Sequence, residues 1–144
     1  MASVEQSVLV GYPAQQMYSL VDDIERYPEF LPWCAGARVE TRDGSSTRAT
    51  ILIDYRGIKQ SFMTENRTHP AERIEIHLVS GPFRKLEGLW LFTPLAPDAC
   101  KIQFCLHYEF SNRLLEKLVG PVFRHIAGTL LDAFLQRAEQ LHPR

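Results

Sequence analysis

Five histidines, three cysteines and a short acidic run are the side chains of this sequence best suited to chemistry. Cys34, Cys100 and Cys105 show no CxxC spacing and no Cys/His interval of the kind that binds metal, and their odd number points to free thiols in a reducing compartment. His77 and His107 fall on outward registers of strands and His125 toward the edge of a helix face, so solvated imidazole is the expectation for all three; His69 and His142 stand apart. No metal site is expected. Asp22, Asp23 and Glu25 are carboxylates beside a helix end, where capping and surface charge are their usual work. The chain has no GxSxG elbow, no phosphate loop and no Cys/His pairing suited to nucleophilic catalysis, so no catalytic residue is assigned and nothing demands an enzyme or a cofactor. Twelve of the sixteen basic residues are arginine, and Arg38, Arg42 and Arg48 are expected on the outer face of one hairpin. Such a face is commonly just solvated; its sharper meaning is a patch contacting the phosphates of lipid heads or ribosomal RNA.

The elements that must position these residues follow from hydrophobic periodicity. Val4 to Val10 is β-rich and ends at Gly11-Tyr12-Pro13, after which Met17, Leu20, Val21 and Ile24 recur at helical spacing. Tyr27 to Cys34 packs two prolines and three aromatics into eight residues, a rigid corner or a gate over the core. From Ala35 the period becomes two. Ala37, Val39 and Thr41 alternate with Arg38, Glu40 and Arg42; beyond a turn at Asp43-Gly44-Ser45, Ala49, Ile51, Ile53 and Tyr55 form the inward set. Arg56-Gly57, His69-Pro70-Ala71 and Ser80-Gly81-Pro82 punctuate three further strands, with Ile74, Ile76 and Leu78 inward on one and Leu86, Gly88, Trp90 and Phe92 on another. Ile102, Phe104, Leu106, Tyr108 and Phe110 face inward on the last.

After Ser111-Asn112 the pattern is helical again. Leu115, Leu118, Val119, Val122, Phe123, Ile126, Leu130, Ala133, Phe134 and Leu141 are assigned to one apolar arc, with Leu131 and Leu135 outside it, and a kink or a short preceding helix is expected at Gly120-Pro121. The order β-α-α-β6-α makes an α+β domain over residues 1–144: a seven-stranded antiparallel meander whose inner face can be covered only by the last helix. At 144 residues, 45% of them apolar and 23% charged, a single core burying roughly 70% of the extended-chain surface needs no disulfide or metal. A net charge of −1 argues against a protein that coats DNA. No secretory signal or run of about 18 apolar residues is present, so the cytoplasm is the expected compartment and any contact with a membrane is peripheral.

Two segments carry a resemblance: Asp23-Ile24-Glu25-Arg26-Tyr27-Pro28-Glu29-Phe30-Leu31-Pro32-Trp33-Cys34, and Gly81-Pro82-Phe83-Arg84-Lys85-Leu86-Glu87-Gly88-Leu89-Trp90-Leu91-Phe92. With the element order they resemble the coenzyme Q-binding protein family of the START-like, helix-grip fold, whose bacterial members are labelled ribosome-association toxin RatA, oligoketide cyclase or lipid transport protein. The resemblance implies a cavity between sheet and helix for a hydrophobic molecule, ubiquinone first among candidates, in support of respiratory electron transport. It also implies contact with the inner membrane, and as alternatives binding to the large ribosomal subunit or polyketide cyclisation.

The residues agree in kind. Phe30 and Trp33 from the corner, Tyr55 and Phe62 from the first strands, Leu86, Trp90, Phe92, Phe104, Leu106 and Tyr108 from the later ones, and Val122, Phe123, Ile126 and Leu130 from the helix are the expected lining. Tyr108, Tyr55 and Asn66 are the inward polar groups able to bond a quinone carbonyl. Any one of these positions is more commonly part of a filled core than a ligand contact, and Gly88 more commonly just admits the helix or the opposite strand.

Overall fold

Strict alternation of apolar and polar residues yields seven strands in the computed structural model, which describes residues 2–143. They are β1 (Ala2–Val10), β2 (Cys34–Asp43), β3 (Ser46–Tyr55), β4 (Ile58–His69), β5 (Arg73–Ser80), β6 (Phe83–Ala96) and β7 (Ala99–Phe110), all antiparallel in the order β1-β7-β6-β5-β4-β3-β2. Helix α1 (Ala14–Asp22) and a 3-10 turn over Ile24–Glu29 separate β1 from β2. Proline at 28 and aromatics on either side keep that second piece from becoming an α-helix.

Helix α2 (Arg113–Leu141) starts where Asn112 accepts a bond from the Leu115 N–H at 2.9 Å. It touches β1, β4 and β7. β1 and β4 lie four strand spacings apart, about 19 Å, whereas a helix with its side chains is only about 12 Å across, so the sheet must curl around it. This is the helix-grip arrangement. By length and composition α2 could cross a membrane, but its apolar face is occupied by the sheet.

Three local expectations are corrected. α2 runs unbroken through Pro121; the carbonyl of Lys117, which loses its partner there, belongs to an exposed turn where water can bond it. Its buried stripe is centred on Phe123, Ala127 and Phe134, and at 100° per residue Leu118 lies about 140° from Phe123 while Leu131 lies about 40° from Ala127. Hence Leu118 is 56% exposed and Leu131 buried, the reverse of the expected arc; Leu141 points along the stripe but lies past the sheet, exposed. In β2 a register shift between Val39 and Thr41 changes the phase of the strand. Thr41 therefore pairs with outward Arg48, and Arg42 pairs with buried Thr47 and reaches the Asp22 carbonyl and Glu25. The three arginines do not share a face.

Candidate functional site

Between sheet and α2 lies an apolar cavity of about 100 Å³. Alternation delivers its floor: Ile51 from β3, Phe62 from β4, Ile76 from β5, Leu86 and Trp90 from β6, Phe104 and Leu106 from β7. Phe123, Ile126, Ala127, Leu130 and Phe134 of α2 form the roof, and Ile24, Tyr27 and Trp33 close one end from the corner. Aromatic rings brace one another around the space, with Trp90 4.4 Å from Phe104 and 5.4 Å from Phe134 between centroids. Gly88 belongs to this packing: a Cβ there would stand 3.1 Å from Ile76 and 3.2 Å from Leu106, so glycine lets three strands' side chains meet under the cavity. Gly81, at φ +150°, brings the β5–β6 turn so close to Phe62 that a Cβ would lie 2.6 Å from that ring's own Cβ.

Trp33, Phe62, Leu86, Trp90, Phe104, Leu106, Phe123, Ile126 and Leu130 stand where the sequence places them, on the cavity wall. Five expected residues do not. Phe92 turns to Tyr18 of α1 at 5.8 Å, and Val122 is buried without reaching the space. Tyr108 joins Phe83, Phe110 and Phe123 beyond the cavity, with the Arg124 charge near its hydroxyl. Tyr55 stacks on His125 at 5.9 Å, and Phe30 packs outside against Phe134 and under Arg137. Absent from the expected lining were Ile24, Tyr27 and Phe134, because only the folded chain shows the corner lying across α2, and Ala49, Ile51, Thr64 and Ile76, whose strand faces the sequence shows but not their height along the sheet.

Thr64 and Asn66 are the polar side chains of the β4 wall, two residues apart on one face. Thr64 Oγ1 donates to Asn66 Oδ1 at 3.1 Å, which leaves the Asn66 amide as a donor for a guest. Tyr27, also on the wall, spends its hydroxyl proton on the Val21 carbonyl, and burial pushes its pKa far up. Among the described residues the wall holds no carboxylate, imidazole, amine or thiol. Nearby Cys34 is buried, which pushes its thiol up to about 11, far from a nucleophile at neutral pH. Asp22 is also raised by burial, while Asp23 pairs with Arg26 at 3.1 Å as a surface charge. The arrangement can hold an apolar molecule with one hydrogen-bonding end; it has no acid/base pair for proton transfer.

The corner is pinned from outside. Arg137, its side chain 15% exposed, bonds Glu29 at 2.7 Å and lies over the Phe30 ring at 5.2 Å. Trp33 lines both the cavity and an outer groove bordered by Phe30, His125 and Arg137, so its indole is the partition between them.

Comparison with known proteins places this geometry in context. The family profile described as "Polyketide cyclase / dehydrase and lipid transport" matches residues 10–135. A relative from Escherichia coli K12, the ribosome association toxin RatA, is 42% identical over 99% of this chain and 90% of its own. The mitochondrial coenzyme Q-binding protein COQ10 homolog B of Xenopus laevis is 27% identical over 96% of this chain and 59% of its own. A START superfamily protein of Mycobacterium smegmatis has a similar structure, with TM-score 0.76 and 29% identity over 96% of this chain and 98% of its own.

Proposed function

The chain belongs to the polyketide cyclase / dehydrase and lipid transport family, and from that premise we propose that it is a non-catalytic carrier or chaperone for a hydrophobic ligand, a polyprenyl quinone such as ubiquinone. The cavity carries this reading: apolar walls around one polar spot at Thr64 and Asn66 suit a greasy molecule with a carbonyl-bearing ring. The coenzyme Q-binding relative supports the choice of quinone. Peripheral contact with the inner membrane, where such quinones reside, and a part in respiration follow from the same reading. Native mass spectrometry or solvent extraction of protein purified from its own host is expected to reveal a bound quinone. Ala127→Trp, which drives an indole into the cavity, is expected to abolish loading, and Gln136→Glu on the exposed side of α2 to leave it intact. Repeated absence of quinone, with no uptake of added quinone, refutes the reading.

A second reading rests on the relative named ribosome association toxin, which matches nearly the full length of both chains: association with the large ribosomal subunit, preventing subunit joining. Arg38 and Arg48 are its outer-face candidates, though each bonds a carboxylate, Glu40 at 2.8 Å and Glu65 at 3.3 Å. Co-sedimentation with large subunits, weakened in Arg38→Ala/Arg48→Ala, tests it. Cyclisation of a polyketide ranks last because the cavity wall offers no acid/base pair.

A further inference from the structure

On the convex face of the sheet, opposite the cavity, β7 places Cys105 and His107 two residues apart and therefore on the same side, and the β1–β7 ladder sets Glu5 directly across from Cys105. Cys105 Sγ lies 3.3 Å from His107 Nε2 and 3.8 Å from Glu5 Oε1, and one donor atom from each of the three residues falls within 4.8 Å of the others. We propose that Glu5, Cys105 and His107 form a binding site for a thiophilic divalent cation, zinc in the first instance.

The geometry is close to what such an ion requires. Zinc bonds of about 2.3 Å to sulfur, 2.05 Å to imidazole nitrogen and 2.1 Å to carboxylate oxygen, at tetrahedral angles, set sulfur–nitrogen and sulfur–oxygen edges of about 3.5–3.6 Å. The two sulfur edges already match within about 0.3 Å. Only the carboxylate must swing, and Glu5 is exposed. The backbone holds the set in register because β7 is paired on both sides, with β6 and with β1. Glu87 faces His107 across β6, a carboxylate placed beside the imidazole it could orient. Binding would displace the Cys105 proton to solvent; thiolate and carboxylate then balance the dication, leaving one coordination position toward water. Sequence spacing hides the site because Glu5 lies 100 residues from Cys105.

The test is titration of tag-free, metal-free protein with cobalt(II) alone. Expected is a near-ultraviolet thiolate-to-cobalt charge-transfer band saturating at one equivalent and bleached by zinc. Cys105→Ser is expected to remove the band, His107→Ala and Glu5→Gln to weaken binding about tenfold or more, and His77→Ala, exposed on β5, to change nothing. Zinc should also slow alkylation of Cys105 by iodoacetamide at least several-fold. No band, a band that survives Cys105→Ser, or an alkylation rate indifferent to zinc overturns the proposal. All four positions lie on the solvent face, and circular dichroism of each variant confirms that its fold is retained.

Discussion

Replacing the polar pair of the cavity by apolar isosteres separates its value to the empty protein from its value to a bound ligand. In Asn66→Leu the Thr64 hydroxyl, 5% exposed, loses its acceptor, and an unpaired buried hydroxyl costs about 1–3 kcal/mol. Thr64→Val leaves Asn66 Oδ1 without its donor, but Asn66 is only half-buried and the loss is smaller, about 0.5–1.5 kcal/mol. The double variant removes both ends of the bond and is expected to melt within about 1 kcal/mol of the parent, so the two substitutions are strongly non-additive. At about 2–4 °C per kcal/mol for a chain of this length, the pattern is readable in thermal melts. Ligand binding behaves differently: a quinone carbonyl that loses the Asn66 amide loses about 0.5–1.5 kcal/mol, a roughly 2- to 12-fold fall in affinity in Asn66→Leu and in the double variant alike. Quenching of intrinsic fluorescence by a short-chain quinone is the assay, because both tryptophans of the chain, Trp33 and Trp90, line the cavity. A double variant that binds quinone as tightly as the parent would refute the assignment of this spot to the ring.

Further outcomes follow from the same geometry. Phe134→Ala, which removes a ring in contact with Tyr27, Phe30 and Trp90, is expected to cost about 3–5 kcal/mol in chemical denaturation, against less than about 0.5 kcal/mol for Leu118→Ala on the exposed side. Arg137→Ala loses the bond to Glu29 and the contact with Phe30 together and is expected to speed quinone uptake and release in stopped-flow quenching, whereas Arg26→Ala on the exposed side of Glu29 leaves both rates alone. Glu65 is held below the ordinary carboxylate range, first by the Ser46 hydroxyl and then by Arg48, so its contribution to stability is complete above its unfolded pKa and disappears as pH falls through the lower folded one. The stability gap between the parent and Glu65→Gln, measured by denaturant melts at several pH values, should therefore close on acidification; a gap that widens contradicts the sign.

What the sequence made legible was the face of most strand residues. Period two assigned Trp90, Phe104 and Leu106 inward, and they meet at the cavity; the same rule assigned Phe92 and Tyr108 inward with equal justice, yet they belong to neighbouring packing. Alternation specifies a side of the sheet but not the height along it, and height depends on where α1 and α2 land. The corner residues Tyr27 and Trp33 show the complementary limit. Their prolines and aromatics mark a rigid turn, but that it closes the end of the cavity depends on tertiary contacts such as the Trp33 carbonyl accepting the Asp54 N–H at 3.0 Å. Arg42 was misplaced for a third reason: one irregular residue in β2 inverts every later position of the strand, and nothing in its polar run marks the shift.

The size of the cavity bears on how a carrier would load. Sites that enclose a small molecule span about 300–1,000 Å³, and the space here is about 100 Å³, so a quinone ring must displace part of the wall. The sheet resists this most strongly, since each floor strand is hydrogen-bonded on both sides. Moving α2 would expose Phe123, Ile126 and Phe134 at once, each costing about 1.5–3 kcal/mol of burial. The corner is pinned at several points: the Tyr27 hydroxyl on Val21, the Glu29–Arg137 pair, the Asp54 N–H on the Trp33 carbonyl, and the burial of Leu31, Trp33 and Cys34. A partly exposed ion pair contributes about 1 kcal/mol or less, and swinging Trp33 alone joins the cavity to the outer groove without breaking a strand ladder. The Trp33 side chain, one buried ring against the three side chains that α2 would expose, is thus the part of the wall that opens at least cost, and the helix that grips the sheet can stay in place while it does.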